Sequence, residues 1–556
     1  FLMVEYVGVP YSEVVRNAIL PATLSYIGLF YIVHLEALKL GMQPILMRHP
    51  RNLKHRAIRT GLGISGTIVV VGLLYYLLAG VKAAFGGAAA YVAGAVVAAL
   101  YVGAAWMAAK CPDLPDDIDI EQPRALETWP AVKAGLHFLL PIGMLIWCLM
   151  VEEMSPSLSA FWAIVALVGL MLTQRPLIAA FRGASARGTW AAGFRDVVHG
   201  LADGSRNMIG IGVATATAGV VVGAITLTGL GLRMTEFVEL VSQGNVIVML
   251  LFIAFVCLVL GLGVPTTANY VLVATLMAPV VVELGAQAGL VIPLIAVHLF
   301  VFYYGIMGDI TPPVGLATFA AAAISGEDAI ATGIQGAIYA LRTVILPFIW
   351  IFNPALLLID IDGIGELVIV VSGSILAMLI FAACTMGWFR IRCRWWEVAA
   401  LGLACLLLFR PNLFMDYLAA EYVHLPASKA YDVARDLPAG GRLVMVIGGQ
   451  TIEGDDVRKT VALRLGAAGD DGRKRLAEAG LTLAGLGDTL KVSGVKFGSR
   501  ARKSGFEQGW DVARIEVPSG RASPYWFYLP ALALVALVWW SQGRRIAPAS
   551  GAPAHG

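Results

Sequence analysis

Charge is the first thing this sequence has little of. Asp, Glu, Lys and Arg make up 14% of its 556 residues, against about 25% in an ordinary soluble domain. Together with 58% hydrophobic residues and a mean hydropathy of +0.78, this excludes a soluble globular chain and points to a polytopic α-helical membrane protein. The net charge of +3 leaves no basic footprint for a nucleic-acid partner. Cysteine is sparse too. Cys111, Cys148, Cys257, Cys384, Cys393 and Cys405 lie in or beside apolar runs with no CxxC pair, so neither a disulfide framework nor a zinc site is indicated. His34-Leu-Glu36 and His298-Leu-Phe300 do not complete an HExxH pair, which removes a zinc protease. Gly63-Ile-Ser-Gly66 matches the nucleophile motif of membrane serine proteases, but His137 stands without a supporting motif, and small residues in an apolar run read as a helix-packing face. The chain does not read as an enzyme. It begins with Phe1 inside an apolar stretch. Phe1 to Gly8 falls short of the ~20 residues a crossing needs, so it reads as the last arm of an element whose earlier part is missing.

Long apolar runs are what the sequence does have. Val14–Val33 is the first full span, with Pro21 inside it, followed by a basic segment containing Arg48, Arg51, Lys54, Arg56 and Arg59. Further spans are expected at 60–79, 85–108, 131–151 and 157–174, with an acidic loop over 110–130. A polar stretch, 175–206, carries five arginines; its Trp190, Phe194 and Val198 recur at helical spacing and suit a helix along the membrane surface. Four spans separate the two basic stretches, so both face the cytoplasm under the positive-inside rule. Spans at 208–232, 335–358 and 367–389 follow, and then a third basic cluster, Arg390, Arg392 and Arg394. The threonines and glycines of 208–232 read first as a close-packing face.

Between these spans lies an interrupted block, Val246–Ile324. One break reads Gly261-Leu-Gly-Val-Pro-Thr-Thr-Ala-Asn269, the other Gly308-Asp-Ile-Thr-Pro-Pro-Val-Gly315. Non-helical backbone at membrane depth survives only buried in protein or lining a cavity, and such interruptions point to a transporter site. Charge parity requires one interrupted segment to cross and the other to return. Val246–Leu284, 39 residues or about 58 Å as one helix, is assigned as a re-entrant hairpin with its tip at 261–269. Leu290–Ile324 then crosses as a helix unwound at 308–315.

A faint repeat supports this arrangement. Phe1 and Gly8 match Phe319 and Gly326 at an offset of 318, each followed by a proline-containing span (Pro21, Pro347). Parity gives the copies opposite orientation, the mark of an inverted repeat. Beyond a short span at Trp395–Phe409, residues 411–523 have soluble composition, and Tyr525–Trp540 returns across the membrane. Positive flanks on both sides place 411–523 outside, in the periplasm of a Gram-negative source. This part has no cysteine, and Arg442–Ile447 and Lys459–Arg464 alternate like strands. Gly498–Val512 resembles the helix–turn–strand piece of a PDZ domain; a small α+β domain without a peptide groove is the competing reading.

The breaks offer transport chemistry. Exposed helix ends present N–H groups to an anion and C=O groups to a cation. Pro265, Pro312 and Pro313 lack the N–H that would close the helix. Gly261, Gly263 and Gly315 permit turns and close approach, and Thr266, Thr267, Asn269 and Thr311 add neutral oxygens. Carbonyls plus hydroxyls suit a hard monovalent cation, so Na⁺ is expected at Gly261, Thr266, Thr311 and Gly315. Asp309 either carries charge for coupling or caps the helix after the break. Glu283 and His298 read as paired or solvated near an interface.

At these residues a family resemblance emerges. Gly261–Tyr270 (GLGVPTTANY) and Asp309–Ala317 (DITPPVGLA) are similar to the second-half motifs of the fused permease of TRAP transporters, the tripartite ATP-independent periplasmic transporters, in the subtype served by TAXI-type solute-binding proteins. Phe1–Glu13 resembles the stretch after that family's first Pro-Pro motif, and 411–523 the C-terminal extension of many fused permeases. The resemblance implies an inverted-repeat, elevator-type ion-transporter fold in the inner membrane, taking an organic acid (a carboxylate) from a periplasmic binding protein by Na⁺ symport, with no cofactor. It implies six parts: a first-repeat remnant (1–59), scaffold spans with an amphipathic cytoplasmic stretch (60–206), a transport unit (207–358), C-terminal spans (359–410), a small periplasmic α+β insertion (411–523) and a last span with cytoplasmic tail (524–556). The other reading is a non-transporting membrane scaffold or sensor with a partner-binding outer domain.

Overall fold

The computed structural model describes residues 2–42, 80, 84, 88–111, 128–185, 187–261, 266–311, 315–361, 363–450, 456–486 and 489–546. The expected span 60–79, the basic segment 48–59, the Gly63–Gly66 motif and most of the acidic loop lie outside them. Cα packing divides the chain into two units, residues 3–13 with 43–210, and 14–42 with 211–556.

In the first unit, helix α1 (Leu2–Val7) ends at Gly8. Helices α3 (Ala89–Ala109), α4 (Thr128–Gly135), α5 (Leu139–Met150) and α6 (Pro156–Phe181) follow the chain's apolar runs. Helix α6 packs on α3 and α5. Tyr101 Oη and Thr173 Oγ1 meet at 2.8 Å, and Arg182 donates to the carbonyls of Ala109 and Cys111 at the end of α3 (3.0 and 2.8 Å). A cation there answers both the orphan carbonyls and the helix dipole. His137, buried, lies 3.0 Å from Gln174 Oε1.

One expectation changes here. The surface stretch and the next span are a single helix, α7 (Thr189–Thr228), ~60 Å long. No proline stands between Pro176 and Pro265, and isolated glycines cost a helix only about 1 kcal/mol each. The helix stops at Gly229, whose φ of +67° starts α8 (Leu230–Ser242).

The second unit holds the interrupted block. Helices α9 (Val246–Leu260) and α10 (Thr266–Gln287) pack on each other across a five-residue connection, as a hairpin requires. Asn245 caps α9 by accepting from the N–H groups of Ile247 and Val248. Helix α11 (Leu294–Ile306), a 3₁₀ turn at Met307–Asp309 and α12 (Leu316–Ser325) form the broken helix. At 13 and 10 residues, its halves are ~20 and ~15 Å long, too short to cross alone. Helix α13 (Ala329–Phe352), capped by Asp328, packs behind both α11 and α12. The backbone repeats itself around the two matched glycines. Gly8 (φ +72°) and Gly326 (φ +76°) each donate to the carbonyl four residues back, Val4 and Ala322, at 2.9 Å. Helices α2 (Tyr11–Lys39) and α13 then begin three residues after each glycine.

Helices α14 (Ile364–Met386), α15 (Trp395–Phe409) and α20 (Tyr528–Ile546) form a bundle, and α16 (Pro411–Leu418) leaves α15 at an 80° bend. Among the described residues, seven helices are long and apolar enough to cross a membrane. Glu397 ties the bundle together. It is fully buried and accepts from the N–H of Arg394 (2.8 Å), Ser541 Oγ (3.0 Å), Gln542 Nε2 (3.2 Å) and Arg545 Nη2 (2.6 Å).

The extramembrane part is an antiparallel sheet with strand order β3–β2–β6–β5–β4, where β2 is Arg442–Gln450, β3 Asp456–Arg464, β4 Leu481–Leu486, β5 Thr489–Val495 and β6 Asp511–Pro518. Strand β1 (Tyr422–Pro426) also pairs with β6. Leu443, Met445, Ile447, Val461, Leu463, Phe506, Val512 and Ile515 form its core, so the alternation read at 442–447 and 459–464 does mark strands. Buried Arg475, on α18 (Gly472–Glu478), donates to the carbonyls of Ala434, Arg435, Leu437 and Pro438 at the C-terminal end of α17 (Ala430–Asp436).

Replacing Glu397 with Ala strands Arg545 beside a buried pocket. A loss of about 3–5 kcal/mol is expected, read as a lower thermal midpoint in detergent, with partial recovery in Glu397→Ala/Arg545→Leu.

Candidate transport site at the two breaks

The site is built on three residues that approach more closely than side chains would allow. A Cβ placed on Gly261 would run into the carbonyl oxygen of Gly305 and stand 2.9 Å from Asn269 Nδ2; one placed on Gly305 would stand 2.5 Å from the same amide. Bare backbone at both positions therefore lets the hairpin tip seat against the end of α11. Asn269 fills the remaining space at 1% exposure, and its Oδ1 has no hydrogen-bond partner among the described residues. An unpaired amide oxygen so deeply buried carries a desolvation cost of about 1–3 kcal/mol.

The second break is held by its own threonines. Thr311 Oγ1 donates to the Met307 carbonyl (3.1 Å), which leaves the hydroxyl lone pairs available. Gly315 sits at φ +37°, where a Cβ would lie 2.6 Å from Thr318 Oγ1. Its carbonyl already accepts from Thr318 Oγ1 (2.9 Å) and Phe319 N–H (2.8 Å). Gly336 of α13 packs directly against Thr318, and α9 packs on the Met307–Asp309 turn. Thr266 and Thr267 open α10, exposed, where the first-turn N–H groups have no intrahelical acceptor. The backbone of Asp309 closes the 3₁₀ turn. Gly263, Pro265, Pro312 and Pro313 lie outside the described residues.

Sequence reading singled out Gly261 and Asn269, and the structure brings them together. It missed their counterpart, Gly305, although a glycine after an aromatic run and three residues before the break at 308 was a usable signal. It also missed Thr318, one turn beyond Gly315. Of the two alternatives read for His298 and Glu283, paired or solvated, the structure shows them paired. His298, 4% exposed, meets Tyr270 Oη at 2.9 Å, and Glu283 faces Lys459.

Comparison of the whole chain against known families gives two matches. Residues 70–362, more than half the chain, match the tripartite ATP-independent periplasmic transporter, DctM component. The chain belongs to that family. Residues 367–547 match a domain of unknown function (DUF3394), which spans α14, α15, the sheet and α20. No curated protein and no solved structure matches the chain. Membership makes it a multi-pass membrane protein with a transporter's role and no enzymatic one, and it implies a periplasmic solute-binding protein as partner. The stretch Gly498–Val512 folds as a short helix, a turn and a strand: Ser499 caps α19 (Arg500–Lys503), Phe506 is buried, and β6 follows. Beside edge strand β4 a cleft of about 370 Å³ is lined by Arg473, Leu476, Thr482 and Leu483. Tyr431 reaches into it and donates to the Leu483 carbonyl at 2.9 Å.

Adding one methyl at the contact point should separate packing from folding. Gly305→Ala forces the hairpin tip off α11 and should cut uptake at least ~10-fold, while Gly336→Ala, where the nearest atom is a threonine methyl, should cost less. Uptake in proteoliposomes, normalised to folded protein by size-exclusion chromatography, checks this.

Proposed function

We propose that this TRAP permease imports a small organic acid across the bacterial inner membrane by Na⁺ symport, taking it from a TAXI-type periplasmic solute-binding protein. The observation that carries the ion-coupled part is the buried, unpartnered Oδ1 of Asn269 between the bare backbones of Gly261 and Gly305. Neutral oxygens in a dry setting favour a hard monovalent cation over a divalent one, whose charge they could not balance. Asn269, the Thr311 hydroxyl and the tip carbonyl of Gly261 are the proposed Na⁺ ligands, with Thr266 and Thr267 at the open end of α10. Gly315 shapes the second break. The orphan N–H groups at the start of α10 suit a substrate carboxylate.

The moving part in this reading is the unit of α9–α13, displaced as a rigid body in an elevator cycle. The matched backbone at Gly8 and Gly326 supports an inverted-repeat origin. Helix α10 also packs on strand β3, so the base of the hairpin and the sheet lie at the same end of this unit. That agrees with the charge parity that puts both in the periplasm.

Counterflow in proteoliposomes with purified solute-binding protein tests the proposal. Uptake should require Na⁺, and Asn269→Ala should raise the half-saturating Na⁺ concentration about 10-fold or more, since removing one ion ligand costs on the order of 1.5–3 kcal/mol. Uptake that is equal in Na⁺ and choline and driven by a proton gradient would overturn the Na⁺ assignment. Asp309→Asn, titrated against Na⁺ and pH, separates its two roles. A changed ion dependence assigns it to coupling; an unchanged dependence with a lower thermal midpoint assigns it to capping the break.

A further inference from the structure

One link between the sheet and the membrane helices is a buried lysine. Lys459, on β3, is 5% exposed. Its ammonium lies 2.9 Å from Glu507 Oε1, 3.6 Å from Glu283 Oε2 and 4.6 Å from the centre of the Trp510 ring. Glu507 and Trp510 belong to the sheet domain, but Glu283 belongs to α10, the long arm of the hairpin. Gln287 Nε2 steadies Glu283 from one turn further on, at 3.4 Å. A lysine shut off from water needs its charge matched, and losing one partner of such a pair is strongly unfavourable. The domain supplies one carboxylate and an aromatic face by itself; the hairpin supplies the second carboxylate.

A second link runs parallel to the first. Arg442, on the neighbouring strand β2, pairs with Asp360, in the loop after α13. Leu358 and Asp360 both adopt positive φ (+56° and +57°), an unfavourable backbone for side-chain-bearing residues that persists only when contacts hold it. Burial and the like charge of Arg464 press the Arg442 guanidinium below its ordinary range. Two adjacent strands thus present two cations to two carboxylates, one on the hairpin arm α10 and one in the loop that follows α13.

We propose that the sheet domain is a clamp on the transport unit, in which Lys459 grips Glu283 on the hairpin arm, Arg442 holds Asp360 in the loop that leaves α13, and the two together set the resting position of the hairpin. The inference rests on the reading of α9 and α10 as part of the moving element. Lys459 and Glu283 are positioning residues; neither touches the site at the tip. Releasing the clamp frees the hairpin base, and the tip with it.

Hydrogen exchange on the full chain in nanodiscs tests the clamp without any transport assay. Glu283→Gln and Lys459→Met should each speed amide exchange in peptides of α9 and α10 about 10-fold, and the double variant should be no faster than either single, because both remove one interaction. Asp360→Asn should act in the same direction through the second link, and it keeps the test open if a Lys459 variant does not fold. Unchanged exchange in Glu283→Gln and Asp360→Asn, or single effects that add in the double, would overturn the clamp. Uptake measured on the same samples keeps the two claims apart. A chain with faster exchange but no uptake in the wild type contradicts Na⁺ symport and leaves the clamp; normal Na⁺-dependent uptake with unchanged exchange does the reverse.

Discussion

The bilayer supplies no water to pair with backbone N–H and C=O groups, and much of the second unit answers to that constraint. A hairpin tip and a broken helix each interrupt an apolar run, and an interruption at membrane depth must be covered by protein. Gly261 seats on Gly305 with no side chain between them, and Asn269 fills the gap. The second break satisfies itself through Thr311, Thr318 and the carbonyls of Met307 and Gly315, with α13 packed behind it. Among the described residues this covering leaves the Asn269 amide oxygen unpaired, and the proposed ion site is built on it.

Much of this was legible from composition and order alone. Apolar length marks a crossing segment because the membrane imposes a thickness, and Trp395–Phe409 begins and ends where its hydropathy does. The two breaks were visible because glycine and proline oppose a helix wherever they cluster. Less visible was how helices join. Nothing between Arg206 and Met208 says whether the helix stops there, and it continues to Thr228. Contacts between distant residues were hidden altogether. Gly305 is an unremarkable glycine until it is seen against Gly261, and Lys459 lies on a strand far along the chain from Glu283. Sheet order was equally beyond reach, because alternation marks a strand without naming its neighbours.

Scarcity of charge gives the remaining charges their meaning. In the membrane part of the second unit, Glu283 and Asp360 meet cations of the sheet domain, Glu366 accepts from Tyr525 at 2.9 Å, and Glu397 gathers α15 and α20. Each joins segments that are distant in sequence. The sheet is therefore not a tethered appendage. It is built into the unit through its strands at one end and through α15 and α20 at the other, in keeping with a single family match that runs across membrane helices and sheet together.

The central claim is that the hairpin tip and the broken helix together bind the coupling ion. Cys257, one turn before Gly261 and fully buried, is a native reporter for it. Its alkylation rate in proteoliposomes, followed by peptide mass spectrometry, should fall when Na⁺ replaces choline at constant ionic strength, and Asn269→Ala should abolish the difference. Equal rates in the two salts for the wild-type chain, under conditions where it transports, would contradict the account.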